Sequence, residues 1–444
     1  MKNSKETVKA VGRDFGGKKG REVRVIGSDL IEEYLTIYLN AYPAYKDLSP
    51  EGIDKIRRKY ISSMENDENI TFVGLFENGR FIALMKIIDF SMNAFGKMCH
   101  ATGLMSLAVH PMHKKKGAGL DMVRFFEKYT KATGAIAALL LPFRIDFYRN
   151  MGYGYGSKME EYRIPASSLP KCEDTSGIVF LGHSEEDTAK MLLCQKTFAE
   201  LNHGMIVKFE DEIRDMYADD ESKRIGCVKD GKLTGYAVYD LVSESDVNYT
   251  LNSINVKELV YHDPETLRSM LGFFRNQADL TQTVTIRTGE EDFYHILPSA
   301  QDISGNYIDF GFLQTNIGAI GTMYKIVDPA AFVAGTAHRS FPAADLTVAF
   351  DYYDELAHDE KTFSVKFTPS SGGAGSVWSA AGQNMPADVR VKCALSDMSS
   401  LFMGSCRFSA LVRLGALKLS DGSYEDILDR LFYCRQKPWT NTDY

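Results

Sequence analysis

The 444-residue chain contains no run of about 18 apolar residues, so no membrane-spanning helix is expected. It has two tryptophans and nine histidines, and the histidines show no metal-ligand spacing. Seven cysteines, Cys99, Cys172, Cys194, Cys227, Cys393, Cys406 and Cys434, never form a C-x-x-C pair. Neither a zinc site nor a disulfide framework is indicated, and no metal is expected. There is no G-x-S-x-G elbow and no cysteine with a reactive signature, which argues against a covalent acyl-enzyme. Excess positive charge is missing too: 51 basic against 59 acidic residues give a net charge of −8, which speaks against broad nucleic-acid binding. Met1 to Arg24 lacks the apolar stretch of a secretion signal. The protein is therefore expected in the cytoplasm, with residues 1–23 as a flexible basic arm.

What is present is an ordinary globular composition, 44% hydrophobic and 25% charged, in a chain long enough for several cores. The densest information lies in Leu107 to Gly156. Met105, Leu107 and Val109 alternate with Ser106 and Ala108 as in a strand, which Pro111 ends. Lys114 to Gly119, KKKGAG, then precedes apolar residues at Leu120, Val123, Phe126 and Tyr129, the spacing of one helical face. Free N–H groups at a helix N-terminus, flexible glycines and nearby lysines together suit a pyrophosphate. Taken alone, the loop equally fits a solvated basic turn. Ala135 to Leu141 reads as a buried parallel strand, and Ile145 to Met151 as a short helix closed by Gly152.

This segment resembles the GNAT superfamily of acetyltransferases, whose coenzyme loop is usually Q/R-x-x-G-x-G/A; Lys114 stands where that pattern has Gln or Arg. Phe147 to Gly154, FYRNMGYG, is similar to the F-Y-x-x-x-G-[FY] segment of the same superfamily. The resemblance implies acetyl-CoA as co-substrate, with the thioester against Leu107, Ala108 and Val109. It implies phosphate binding by Lys115, Lys116, Gly117, Ala118, Gly119 and Leu120, and coenzyme contact at Phe143 and Arg144. Tyr148 falls on the tyrosine that protonates the departing thiolate. A phenol with a pKa of about 10 can donate to a thiolate whose acid has a pKa of about 8.5. A packed core tyrosine is the other reading of Tyr148, and His110 and His113 read as turn residues.

The hairpin of Phe72 to Ile88, turning at Asn78-Gly79, is echoed by Ile225 to Val242, turning at Asp230-Gly231. A further strand and a helix follow each, but the second copy continues as Tyr261, His262, Asp263, Pro264, Glu265, an acidic turn unsuited to pyrophosphate. The last third reads as α+β, with strand-like Leu346 to Tyr352, Thr362 to Phe367 and Val389 to Ala394. One active GNAT domain, one degenerate copy and this portion together resemble the Eis family of acetyltransferases. The expected fold class is α+β, with a GNAT domain at 24–164, a degenerate copy at 165–302 and a sterol-carrier-protein-like domain at 303–444. The resemblance implies transfer of acetyl to a primary amine of an aminoglycoside, polyamine or lysine-type acceptor, by direct attack in a ternary complex. It also implies a homo-oligomer, a hexamer in the family, and assigns the amine's proton to the main-chain carboxylate of Tyr444. Tyr38, Tyr42, Tyr45, Glu32, Glu33 and Asp47 are the acceptor-pocket candidates. A different class remains open, an acyl-CoA-sensing or lipid-binding protein that uses the third domain.

Overall fold

The computed structural model describes residues 4–442 except 46, 157, 173, 372–374 and 383–384. The first unit contains α1 (Ser4–Val11), β1 (Arg21–Val25), α2 (Ile31–Ala41), α3 (Pro50–Asn66), β2 (Ile70–Glu77), β3 (Arg80–Ala94) and β4 (Lys97–Val109). It continues with α4 (Ala118–Thr133), β5 (Ala138–Leu140), α5 (Ile145–Arg149) and β6 (Gly154–Tyr155). Asn78 and Gly79 both adopt positive φ, 50° and 81°, which a two-residue hairpin turn requires and which joins β2 to β3. Helix α4 buries Met122, Val123, Phe125, Phe126 and Tyr129 on one face and stops at Gly134, whose φ of 73° ends the helix in the left-handed region.

The second unit contains β7 (Lys158–Pro165), β8 (Ile178–Leu181), α6 (Glu185–Leu201), α7 (Glu210–Ala218), β9 (Lys223–Lys229), β10 (Lys232–Ser243), β11 (Asn252–Tyr261), α8 (Pro264–Arg275) and β12 (Thr281–Thr288). Short strands β13 (Tyr307–Ile308), β14 (Phe312–Leu313), β15 (Ile317–Ile320) and β16 (Met323–Lys325) follow. The third unit comprises α9 (Pro329–Gly335), β17 (Leu346–Asp354), β18 (Asp359–Pro369), β19 (Ser376–Ala380), β20 (Val389–Ala394), α10 (Leu395–Phe402), α11 (Phe408–Arg413), β21 (Lys418–Leu419) and α12 (Glu425–Phe432). The class is mixed α/β throughout, as expected.

The three larger sheets run β1-β2-β3-β4-β5-β16-β6, β15-β7-β12-β11-β10-β9-β8 and β19-β18-β17-β20-β21, and β13 pairs with β14 by itself. Ile317 to Lys325, assigned from sequence to the third domain, instead gives one strand to each of the first two sheets: β15 pairs with β7, and β16 lies between β5 and β6. Its short apolar pieces carry no period long enough to reveal their partners. A second correction concerns the N-terminus. Residues 4–11 are a packed helix and not a flexible arm, because Val8 is fully buried and Phe15 just beyond meets Phe125 edge-on at 6.1 Å. The surrounding lysines and glycines conceal that apolar face. One core joins the first and third units, placing Tyr34, Phe72 and Tyr324 in the same cluster as Phe332, Trp378, Phe402 and Phe432.

Candidate active site

Strands β4 and β5 pair in parallel only from Thr102 to Leu104, and beyond that point they separate. On its other side β4 slips register against β3 between the partners of Leu84 and Lys86, and Ser106 takes a φ of 57° in this bulge. His110 donates its N–H to Ile82 of β3; by alternation Ala108 faces β3 and Val109 turns its N–H toward the gap between β4 and β5. The Tyr42 hydroxyl fixes the bulge by donating to the carbonyl of Leu107 at 2.9 Å.

Beyond β4 the chain reaches the N-terminus of α4 through Lys115 and Gly117, with φ values of 58° and 82°. Gly117 provides no side-chain cap, and among the described residues nothing accepts from the N–H groups of Ala118, Gly119 or Leu120. These donors and the helix dipole face outward beside the exposed Lys114, Lys115 and Lys116. The loop is held from behind by Arg21, whose guanidinium donates to Lys116 O at 3.0 Å, Asp121 Oδ2 at 2.8 Å and Glu77 Oε1 at 2.9 Å. Burial opposes the Arg21 charge, but these two carboxylates outweigh it and raise its pKa.

The second unit repeats this skeleton with a different ending. Strand β11 also slips register against β10, and it pairs with β12 only from Asn252 to Val256. There the helix N-terminus is capped: Asp263 accepts from Thr266 N at 2.8 Å and pairs with Lys229 at 2.9 Å. The gap between β11 and β12 is also filled. Trp439 packs on Gly289 and meets Phe198 edge-on at 6.1 Å, and with Asn441 it lines a cavity of about 100 Å³ beside Glu258 and Thr288.

In the first unit the gap opens into a cavity of about 670 Å³ lined by Leu104 to Leu107, Leu141, Phe143, Tyr148, Tyr38, Tyr42 and Tyr60. Tyr148, on α5, is 2% exposed, and its ring meets Phe143, Phe147 and Tyr153 at 5.6, 5.1 and 5.9 Å. Its hydroxyl forms no hydrogen bond to a described residue. Burial, with a contribution from Tyr42, pushes its pKa well above the usual tyrosine range. Asp211, Glu212 and Asp215 of α7, from the second unit, form the far wall with Lys59 and Lys86. Lys59 lies 2.8 Å from Asp215 and 3.4 Å from Asp211, Lys86 lies 3.7 Å from Asp211, and Arg214 lies 2.9 Å from Asp211. Burial would raise the Asp211 pKa, but Lys86, Lys59 and Arg214 overcome it and hold the carboxylate ionised.

Of the residues expected at the site, Leu107, Phe143 and Tyr148 line the cavity, while Val109 borders the gap. Lys115 to Leu120 form the turn and first helical residues next to it. Arg144 is drawn away by an ion pair with Asp146, two residues on in α5. Tyr38 and Tyr42 are on the wall; Glu32 and Glu33 are not among the lining residues, and Glu32 is paired with Arg57. Asp47 is exposed and accepts from Ser49 N. Tyr444 and the side chain of Tyr45 lie outside the described residues. Arg21, Lys59, Lys86 and the acids of α7 were not anticipated. The acidic run Glu210 to Glu212 is visible in the sequence, but it lies in the other domain.

The Acetyltransferase (GNAT) domain family matches residues 22–156, a second Acetyltransferase (GNAT) domain family matches 204–308, and the sterol carrier protein domain family matches 333–441. No curated protein sequence matches the chain. The three-domain fold is shared with a GCN5-related N-acetyltransferase from Anabaena variabilis, at TM-score 0.75 and 14% identity over 96% of this chain and 100% of that one. It is also shared with a probable N-acyltransferase from Enterococcus faecalis, at TM-score 0.74 and 14% identity over 96% and 99%. Eis1 from Mycobacterium abscessus has the same fold, at TM-score 0.72 and 18% identity over 95% and 100%.

Proposed function

We propose that this chain, an Eis-like GNAT N-acetyltransferase, moves acetyl from acetyl-CoA directly to a primary amine. The observation that carries this reading is an uncapped α4 N-terminus beside a parted strand pair whose cavity also contains Tyr148. Lys115, Lys116 and the N–H groups of Ala118, Gly119 and Leu120 hold the pyrophosphate. The pantetheine lies along Leu107 to Val109, and the Val109 N–H polarises the thioester carbonyl. The amine attacks that carbonyl, the carbon–sulfur bond breaks, and the Tyr148 hydroxyl delivers its proton to the sulfur. The phenol is protonated at neutral pH, and because burial raises its pKa and makes it a weaker acid than a free tyrosine, the proton moves only as thiolate charge develops on the sulfur. The Eis resemblance assigns the amine's proton to the Tyr444 carboxylate. The preceding tail supports that route: Asn441 donates to Glu258, which pairs with Lys208, and Lys208 reaches Glu212 on the cavity wall.

The wall combines tyrosines with carboxylates, a setting that attracts an ammonium group. Each carboxylate, however, has a cationic neighbour in Lys59, Lys86, Arg214 or Lys208. This near balance favours a small amine or a lysine side chain over a polycationic aminoglycoside, which would have to displace those partners. The alternative, an acyl-CoA-sensing or lipid-binding protein, is weaker in its lipid-binding part because the third domain's rings fill its core: Phe341 and Trp378 lie 5.0 Å apart, Phe350 and Phe402 5.1 Å, and Phe402 and Phe432 5.8 Å. The test is thiol release from acetyl-CoA with aminoglycosides, polyamines and lysine peptides. Coenzyme binding without release in any of them would replace this reading with the sensing alternative. Light scattering would test the hexamer that the resemblance implies.

A further inference from the structure

A second cleft lies where the three domains meet. It has a volume of about 420 Å³, within the range of small-ligand pockets. Its walls come from the β3–β4 turn, the segment after α6 and the third domain, and three of its residues are Arg339, Arg430 and Arg435. Among the described residues no aspartate or glutamate lines it, although the whole chain carries a net charge of −8.

Arg339 is the unusual member. Only 5% exposed, it lies between aromatic faces, 4.1 Å from the Phe95 centroid, 4.8 Å from Phe341 and 5.6 Å from Trp378. Its polar contacts are two long ones, to Phe402 O at 3.4 Å and Tyr433 O at 3.3 Å, and no carboxylate pairs with it among the described residues. A buried cation without a counterion is costly, and aromatic faces offset only part of that cost. Burial accordingly lowers its pKa. Arg430 reaches only the carbonyl of Asp426, at 3.3 Å, and Arg435 has no hydrogen-bond or ion-pair partner among the described residues. Three guanidinium groups thus line one cleft with no acid among the described residues, a fork geometry suited to an oxyanion.

We propose that the three-domain junction is a binding site for a small phosphate-bearing ligand, with Arg339 at its base and Arg430 and Arg435 at its rim. Half-exposed Tyr433 offers a ring for the organic part of such a ligand. Because Cys434 and Gln436 also line the cleft, an occupant would clamp the root of the tail that runs on to Trp439.

The test uses the full chain carrying Lys115→Ala and Lys116→Ala, so that the coenzyme loop does not compete for the probe. Inorganic phosphate and pyrophosphate are titrated calorimetrically at constant ionic strength, with chloride as the control anion. One saturable site per chain is expected, and adding Arg430→Ala and Arg435→Ala should raise Kd by at least about tenfold. Both substitutions are at exposed positions, so an unchanged melting temperature verifies folding. Absence of saturable binding, or an equal Kd with and without the two arginines, would overturn the proposal.

Discussion

Replacing Tyr148 with Phe distinguishes a proton donor from a core tyrosine, because the two roles predict different patterns of loss. The ring contributes three aromatic contacts, at 5.6, 5.1 and 5.9 Å, and phenylalanine keeps them all. The hydroxyl has no hydrogen-bond partner among the described residues, so removing it should change stability by no more than about 1 kcal/mol in either direction. Loss of a general acid, by contrast, costs about 10²- to 10⁴-fold in kcat, or about 3 to 5 kcal/mol of barrier. Acetyl-CoA affinity should shift by less than about threefold, since the phosphates are held at the α4 turn and not at α5. Steady-state thiol release, calorimetric titration of acetyl-CoA and thermal melting measure the three quantities separately. Activity within about threefold of the parent would remove Tyr148 from the chemistry. A large drop in melting temperature with proportionate loss of activity would return it to the core.

Lys115→Ala combined with Lys116→Ala should weaken acetyl-CoA binding about tenfold or more, with a smaller effect at high salt; titration at two ionic strengths checks this. Arg21→Ala leaves Asp121 buried without its main cation, so a loss of about 3 to 5 kcal/mol in urea unfolding and weaker coenzyme binding are expected. Trp439→Ala should cost about 3 to 5 kcal/mol by emptying the gap in the second domain, and hydrogen exchange should show residues 438–442 released. His203 is buried neutral, with its pKa depressed to about 4 chiefly by burial. Between about pH 6.5 and 4 the unfolded chain binds a proton that the folded chain refuses, so stability falls by up to about 3 kcal/mol as pH drops through that window. His203→Gln should flatten this part of the pH–stability curve, and an unchanged slope would refute the assignment.

The basic, glycine-containing turn that opens α4 was legible because its signal is local: lysines, glycines and an amphipathic helix follow one another within one stretch. The duplicated hairpins were legible for the same reason, since Asn78-Gly79 and Asp230-Gly231 announce their turns without reference to distant residues. The acidic wall of the cavity was not. Asp211 and Asp215 meet Lys59 across about 150 residues of sequence, and no period or motif encodes that encounter. Arg21 was missed because a basic, glycine-rich opening masks the two-residue alternation of a short strand in which Arg21 and Val23 are buried. Strand β16 was missed because its side chains reveal burial but not which of two sheets receives it.

Under the proposed function, the duplicated skeleton gives a physical reason for coenzyme binding in the first copy and not in the second. In both, a bulge turns the central strand away from its parallel neighbour, so both possess the gap. What differs is what occupies it. Asp263 gives α8 the side-chain N-cap that α4, with Gly117 at that position, lacks, and Trp439 takes the space that a pantetheine would need. An acidic cap repels a pyrophosphate and also takes up the Thr266 N–H, one of the donors that would bind it. The gap in the second domain therefore holds the tail, whose described end leads through Glu258 and Lys208 to the acidic wall of the first-domain cavity. Calorimetry should find one acetyl-CoA per chain, and Trp439→Ala should reduce acetyl transfer without changing that stoichiometry. A second coenzyme bound by the parent chain would show that the Asp263 cap does not close the second site.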